Sequence, residues 1–173
     1  MGIKKNRIGI LGGSFDPAHK GHLAISKVAA KKLKLKKIFW AITKKNPFKK
    51  KSNLELSARI YLCKKITKKI KFIEVKCFEN KVRSNKTINL INFFTRNIKN
   101  EIFFIMGADN LINFHKWHKW KTISKKCTLI VFDRQGYKKK SLNSKTYKTL
   151  NKEKLKFINF NKVNISSSQL RKI

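Results

Sequence analysis

Two histidines, His19 and His22, follow a glycine pair in a stretch whose residue types suit the binding of phosphate. The pair Gly12–Gly13 has no side chains, so an anion can approach the backbone closely and a positive φ costs little. A helix is predicted to open near His22, and the N–H groups and dipole at a helix start favour negative charge. We therefore predict a phosphate-binding loop that carries two imidazoles.

Three residues near the end of the sequence also have groups that bind phosphate. Ser166 and Ser168 supply hydroxyls at the predicted start of a terminal helical turn, whose N–H groups add further donors. Arg171 lies one turn later and carries a forked cation that matches phosphate oxygens. Taken alone, this pattern is also typical of an ordinary helix N-cap.

Apolar runs alternate with amphipathic segments, and this alternation predicts the elements that position these groups. The predicted strands are Arg7–Leu11, Lys37–Ile42, Phe72–Val75, Glu101–Met106, Thr128–Phe132 and Leu155–Phe160. The predicted helices are Leu23–Leu35, one capped by Ser52 or Asn53 that runs to about Lys65, and Thr87–Thr95. This order predicts an α/β fold with a doubly wound parallel sheet. The length favours a single domain over residues 1–173.

The segments between these elements are predicted to be loops, and several of them follow strands. Asn80–Lys86 is predicted as a polar loop, Asp133–Ser144 as a basic loop, and Leu111–Trp120 as short helical or irregular structure. In a doubly wound sheet the ligand binds beyond the carboxyl ends of the strands, at the switch point. We therefore expect Gly12–His22, Thr43–Lys49, the segment after Met106 and the final serines to converge there.

The chain is strongly basic. Lys and Arg total 44 against 8 Asp and Glu, which gives a net charge of +36. The lysines are spread along the chain, whereas a dedicated nucleic-acid reader more often clusters basic residues with aromatic ones on one face. The abundance of Asn, Ile and Phe beside Lys points to compositional drift toward A/T-rich codons. We therefore predict no specific nucleic-acid partner, with non-specific polyanion binding expected in dilute salt.

The cysteines and the apolar runs indicate the compartment. Cys63, Cys77 and Cys127 are odd in number and lack Cys-x-x-Cys spacing, which argues against a disulfide framework or a zinc site. This usage fits a reducing cytoplasm, with each thiol expected to be a small buried side chain. No run approaches the roughly 20 apolar residues that cross a bilayer, and the basic N-terminus lacks the apolar region of a signal peptide. We expect a cytoplasmic protein with no membrane association.

The segment from Gly12 to His22 reads Gly-Gly-Ser-Phe-Asp-Pro-Ala-His-Lys-Gly-His. It resembles the first signature of the HxGH nucleotidyltransferases, in the longer form found in nicotinate-nucleotide adenylyltransferases. A bare HxGH is a weak match, but eleven consecutive positions after a predicted strand are specific. The resemblance implies a Rossmann-like nucleotidyltransferase fold with His19 and His22 as catalytic residues. The ATP contacts that it implies here are Gly12, Gly13, Ser14, Phe15 and Gly21.

The second phosphate-binding pattern resembles the second signature of the same superfamily. Ile165 to Arg171 reads Ile-Ser-Ser-Ser-Gln-Leu-Arg, similar to Ile-Ser-Ser/Ala-Ser/Thr-x-Ile/Leu-Arg. In the superfamily this signature grips the β- and γ-phosphates of ATP. The resemblance thus implies that Ser166, Ser168 and Arg171 hold the leaving pyrophosphate.

A tryptophan segment discriminates within the superfamily. Met106 to Trp117 is similar to the Gly-x-Asp-x-Leu…Phe-x-x-Trp segment of nicotinate-nucleotide adenylyltransferases. The resemblance implies that Trp117 stacks on the pyridine ring of the mononucleotide, that Asp109 binds nucleotide hydroxyls and that Gly107 contacts ATP. Packing into the core is the other interpretation of Trp117, and it is the one we favour for Trp120.

Two more positions align with the substrate-binding residues of the family. Thr87 matches the Thr of an aromatic-Thr pair that meets the pyridine carboxylate, with Lys86 where Tyr is common. A cation at that place favours a carboxylate. Lys49 follows an Asn-Pro loop similar to that of the family, where it would contact the acceptor phosphate or remain solvated.

The resemblance implies adenylyl transfer, in which ATP and nicotinate mononucleotide give deamido-NAD and pyrophosphate in NAD biosynthesis. The attacking phosphate is already ionised, so the site has to align two anions and neutralise growing charge. Mg²⁺ is expected to arrive with ATP, with no metal site built from protein ligands. Two alternatives are another adenylyltransferase of the superfamily, with phosphopantetheine or nicotinamide mononucleotide as acceptor, and a basic RNA-binding protein on a decayed enzyme scaffold.

Overall fold

Six strands form one parallel sheet in the part of the chain that the structure describes. The structure is a computed structural model that describes residues 5–45, 52–133 and 136–160. The strands are β1 (Asn6–Gly13), β2 (Lys37–Ile42), β3 (Ile73–Lys76), β4 (Asn100–Gly107), β5 (Thr128–Phe132) and β6 (Leu155–Ile158). Their order across the sheet is β3-β2-β1-β4-β5-β6. The predicted doubly wound parallel sheet is therefore confirmed, with the change of direction between β1 and β4.

Helices connect successive strands. They are α1 (Lys20–Leu33), α2 (Leu56–Thr67), α3 (Glu79–Val82), α4 (Thr87–Thr95), α5 (Ala108–Asn113), α6 (Trp120–Lys126), α7 (Lys138–Leu142) and α8 (Lys145–Thr149). Within the described ranges, two 3₁₀ turns cover Phe114–Lys116 and Lys152–Lys154. No helix among the described residues has the length and apolar character that a membrane crossing requires.

The sheet separates two apolar clusters. Successive side chains of a strand point to opposite faces, so Phe104 packs with α4, α5 and α6. Its neighbours Phe103 and Ile105 pack with α1 and α2 on the other face. Both faces are covered, which explains why the central strands are continuous apolar runs without polar alternation. Each fully buried large side chain stabilises the fold by about 1.5–3 kcal/mol.

The start of α2 differs from the prediction. Ser52 or Asn53 was expected to cap this helix, but it begins at Leu56 and no side chain of the described residues caps it. The backbone N–H groups of Asn53 and Leu54 donate to the Asp16 carboxylate instead, at 2.8 and 3.1 Å. The segment before the helix is therefore held by a carboxylate that is distant in the sequence, and not by a local N-cap side chain.

Two predicted loops contain helices. In the polar segment Asn80–Lys86, the short helix α3 forms because Phe78, buried to 7% exposure, anchors a turn in which the Val82 N–H donates to its carbonyl at 2.9 Å. In the basic segment Asp133–Ser144, α7 forms around the fully buried Ser141, whose hydroxyl donates to the Lys138 carbonyl. The prediction of loops was wrong at both places.

Two of the three thiols are buried as expected. Burial raises the pKa of Cys63 to about 12, although the positive charge of Arg59 acts in the opposite direction. Burial also raises the pKa of Cys127 to about 12, against the effect of Lys154. Cys77 is only half-buried. The two buried thiols therefore remain protonated at neutral pH and serve as apolar packing groups.

Candidate functional site

The loop after β1 folds back over the end of the sheet. Phe15 has φ 49°, in the left-handed region, and is 2% exposed. Its ring stacks on Trp40 of β2, with centroids 5.0 Å apart, and contacts the His22 ring at 4.8 Å. Burial of an aromatic side chain offsets the unfavourable backbone conformation. Phe15 therefore acts as the internal support of the loop and of His22, and not as an exposed contact.

His19 and His22 together cap the start of α1. His19 is the N-cap residue, and its Nδ1 accepts from the Gly21 N–H at 3.1 Å. The Nδ1 of His22 accepts from the His19 N–H at 3.2 Å, which completes a reciprocal capping box. Since Nδ1 of each neutral ring is the acceptor, Nε2 of each ring carries the proton. The ring centroids lie 3.9 Å apart, so two N–H donors are held close together.

A buried polar chain supports the first turn of α1. The Ser26 hydroxyl donates to the His22 carbonyl at 2.8 Å and accepts from the Trp40 indole N–H at 2.8 Å. Both side chains are fully buried. The backbone of His22 is thereby tied to β2, and a buried network of this kind limits the movement of the imidazole.

A cavity of about 420 Å³ opens at the carboxyl ends of β1, β2 and β4. This volume is within the range of small-molecule sites. Its walls come from the β1 loop, the end of β2, the α3–α4 region, β4 and the segment around Trp117. The lining residues are Gly12, Gly13, Ser14, Ala41, Ile42, Thr43, Phe78, Glu79, Val82, Ser84, Asn85, Lys86, Thr87, Leu90, Phe104, Met106, Asn110, Lys116, Trp117 and His118.

The structure places the two tryptophans differently. Trp117 lines the cavity, where its ring meets Phe104 edge-on with centroids 6.0 Å apart. Trp120 is absent from the cavity wall formed by the described residues, and it packs against the apolar cluster with its ring edge-on to Phe114. Trp117 therefore offers an aromatic surface to a ligand, whereas Trp120 is a packing residue.

Thr87 lines the cavity as the first residue of α4. No side chain caps this nine-residue helix within the described structure, so its first N–H groups are available to an anion. Lys86 and Lys116 add cationic side chains to the same cavity. The Glu79 carboxylate, the acidic group of the wall, accepts hydrogen bonds from Thr43 and Lys44.

Asp109 and Gly107 are not among the described residues that line the cavity; Asn110 lines it instead. The Asp109 carboxylate lies so close to Gly107 that a Cβ added at Gly107 would overlap it. The carboxylate is the end of a flexible side chain, so it would have to turn away if residue 107 carried a Cβ.

Four of the predicted site residues lie outside the described residues: Lys49, Ser166, Ser168 and Arg171. Sequence reasoning missed several cavity residues, among them Ser84, Asn85, Lys116 and His118. His118 follows Trp117 directly in the sequence, and this adjacency is the signal that could have placed it at the cavity. Within the described ranges, no group of three or more His, Cys, Asp or Glu could hold a metal ion.

The sequence matches the model of the cytidylyltransferase-like family over residues 10–173. It is 68% identical over 170 residues to a Pelagibacter ubique protein named "Probable nicotinate-nucleotide adenylyltransferase", covering 98% of this chain and 94% of the relative. A Bradyrhizobium protein of the same name is 36% identical over 151 residues, covering 86% and 78% of the two chains.

Solved structures show the same fold. The nicotinic acid mononucleotide adenylyltransferase of Plasmodium falciparum, in its complex with APC, superposes with a TM-score of 0.78 at 22% identity, covering 96% of this chain and 83% of that chain. Its complex with NaAD gives a TM-score of 0.77. At this identity the likeness establishes the architecture, which is the predicted Rossmann-like nucleotidyltransferase fold.

Proposed function

This chain belongs to the nicotinate-nucleotide adenylyltransferase family, and we propose that its described site carries out the reaction of that family with ATP and nicotinate mononucleotide. A phosphate oxygen of the mononucleotide attacks the α-phosphorus of ATP, and the bond between the α- and β-phosphates breaks. The products are deamido-NAD and pyrophosphate. No general base is required, because the attacking phosphate is already ionised.

The paired imidazoles beside the β1 loop are the observation that carries this proposal. Charge grows on the α-phosphate and on the leaving pyrophosphate in the transition state. His19 and His22 each hold a proton on Nε2, because their Nδ1 atoms accept backbone hydrogen bonds. They would donate hydrogen bonds from Nε2 to phosphate oxygens, beside the N–H groups at the start of α1.

The cavity is proposed to hold the pyridine nucleotide. Trp117 provides a planar ring on which a pyridine can stack. Thr87 and the uncapped start of α4 would receive the carboxylate, with Lys86 beside them. Asp109 would bind nucleotide hydroxyls, and Lys49 and the Ser166, Ser168 and Arg171 signature would bind phosphate, as their resemblance to the family implies.

Enzymes that transfer groups from ATP use a divalent cation, and we propose Mg²⁺ here. The Asp16 carboxylate, three residues before His19, already accepts two backbone hydrogen bonds. The phosphate oxygens and water supply the ligands that Mg²⁺ prefers, so the ion would enter with ATP and neutralise charge on the triphosphate.

Pyrophosphate release tests the proposal. Purified protein is incubated with ATP and Mg²⁺ in three separate reactions. Each reaction contains one acceptor, which is nicotinate mononucleotide, nicotinamide mononucleotide or phosphopantetheine. Release that depends on nicotinate mononucleotide, with deamido-NAD as the second product, is the expected result. Release only with phosphopantetheine, or with none of the three acceptors, would contradict it.

The preference for the acid over the amide provides a sharper test at Lys86. Replacement by methionine keeps the aliphatic stem and removes the charge near the predicted carboxylate site. We expect the ratio of kcat/KM for nicotinate to that for nicotinamide mononucleotide to fall about fivefold, since a partly exposed ion pair contributes up to about 1 kcal/mol. Steady-state kinetics with both acceptors measures this ratio.

Two lysine variants serve as controls for Lys86→Met. Lys69→Met removes an exposed charge beyond the end of α2, outside the cavity wall, and should leave the ratio unchanged. Lys116→Met removes a charge within the wall and shows whether any cavity cation has the same effect. An equal loss with both mononucleotides in Lys86→Met would refute a role in discrimination.

A further inference from the structure

Arg59 of α2 is buried to 2% exposure, and its partners among the described residues are all backbone carbonyls. Nε donates to the Leu54 carbonyl at 3.1 Å. Nη1 donates to the Ser14 carbonyl at 2.7 Å and to the Thr43 carbonyl at 2.8 Å. Nη2 donates to the Lys44 carbonyl at 3.0 Å. One side chain therefore connects the loop after β1, the end of β2 and the segment before α2.

A buried arginine in this setting requires an explanation. Charged residues are rarely fully buried without an ion-pair partner, because desolvation is costly. Among the described residues no carboxylate forms an ion pair with Arg59. Four of its five N–H donors are occupied by carbonyls, so it is not placed to bind a substrate phosphate itself. Its effect must pass through the backbone that it holds.

Two carboxylates also form hydrogen bonds with the segments that Arg59 connects. Asp16 accepts from the N–H groups of Asn53 and Leu54, so the backbone N–H of Leu54 is bonded to the β1 loop and its carbonyl to Arg59. Glu79 accepts from the Thr43 hydroxyl at 2.6 Å and from the Lys44 N–H at 2.9 Å. The backbone after β2 is thus held through its carbonyls on one side and through its donors on the other.

Resting on the proposed function, we propose that Arg59 is a positioning residue for adenylyl transfer. Ser14 and Thr43 line the cavity, and the same loop leads from Ser14 to His19. Arg59 therefore sets the distance between the donors to the ATP phosphates and the cavity for the mononucleotide. In-line attack depends on that distance, and displacements of about 1 Å cost about 10²-fold in rate.

Arg59→Lys is the decisive variant. Lysine keeps the charge, but its single ammonium lacks the planar fork that reaches three separate segments. We expect kcat to fall at least tenfold, with KM for ATP and nicotinate mononucleotide changed less than threefold. The kcat of Arg59→Ala should be lower still. Added ethylguanidinium, which can occupy the space left by the side chain, should restore part of that kcat.

A stability control separates positioning from folding. Ile66 also lies on α2 and packs against the apolar cluster that contains Phe103 and Ile105. Ile66→Ala therefore destabilises α2 without removing a hydrogen bond to either loop. Its thermal midpoint should fall while its kcat at 25 °C stays within twofold of wild type. The inference is overturned if Arg59→Lys keeps kcat within twofold, or if ethylguanidinium gives no rescue.

Hydrogen exchange provides a readout that does not depend on activity. The Thr43 N–H donates to the Gly13 carbonyl at 3.0 Å, between two of the three segments that Arg59 joins. In Arg59→Lys, peptides that cover residues 12–16 and 42–45 should exchange at least tenfold faster, with those of β4 and β5 unchanged. If the wild-type protein released no pyrophosphate, the proposed function would fail. Unchanged exchange in Arg59→Lys would overturn the role of Arg59 by itself.

Discussion

His22→Ala is expected to lower kcat by about 10²–10³, the loss typical when one oriented donor to a growing negative charge is removed. The expected KM values for ATP and nicotinate mononucleotide change much less, because the contact to the phosphate strengthens as charge develops. The His22 Nε2 proton is assigned from the bond at Nδ1, which accepts from the His19 N–H. Pyrophosphate release under saturating substrates measures the loss.

The capping role of His22 needs a separate control, because alanine also removes half of the capping box. Loss of a cap costs about 0.5–2 kcal/mol of stability. His22→Glu retains an acceptor at the N3 position, which glutamate commonly fills in capping boxes, and its carboxylate has no N–H to donate. Its thermal midpoint should return toward wild type while kcat remains low. Recovery of kcat together with the midpoint would show that His22 acts through the helix start and not through a donated proton.

The sequence predicted the sheet well because its signals were local and strong. The apolar runs of β4 and β5 are long enough to identify without any tertiary contact. The start of α1 was placed near His22, but the helix begins at Lys20, with His19 as the N-cap. Histidine is not among the usual N-cap residues, so a capping box built from two imidazoles could not be recognised from residue type alone.

Arg59 could not be predicted, for a different physical reason. Its carbonyl partners at Ser14 and Thr43 lie 45 and 16 positions away in the sequence. The helix around it also carries two exposed lysines, Lys64 and Lys65, and nothing in its periodicity marks one cation as buried. The wall formed by α3 was missed similarly, because the burial of Phe78 against Phe39 and Phe94 depends on strands and helices far along the chain. Contacts of this kind exist only in the folded protein.

Trp117→Ala is expected to raise KM for nicotinate mononucleotide about 5- to 150-fold while KM for ATP changes less than about threefold. The range follows from the roughly 1–3 kcal/mol that a base gains by stacking on an aromatic side chain. Trp117 lines the cavity beside Phe104 and Met106, so its removal takes away aromatic surface from the mononucleotide site. Trp117→Phe retains a smaller ring and should show an intermediate KM. Steady-state kinetics with each substrate varied in turn distinguishes the two sites.

Trp120→Phe is the matched control for that experiment, because Trp120 is the neighbouring indole and packs on the Phe114 ring within the same apolar cluster. It should reduce stability without changing either KM, since the described cavity wall does not include it. Equal increases in KM for ATP and for the mononucleotide in Trp117→Ala would show a general collapse of the site. An increase in KM for the mononucleotide in Trp120→Phe as large as that in Trp117→Ala would also show a general collapse of the site. Neither of these two results can arise from the loss of one stacking surface.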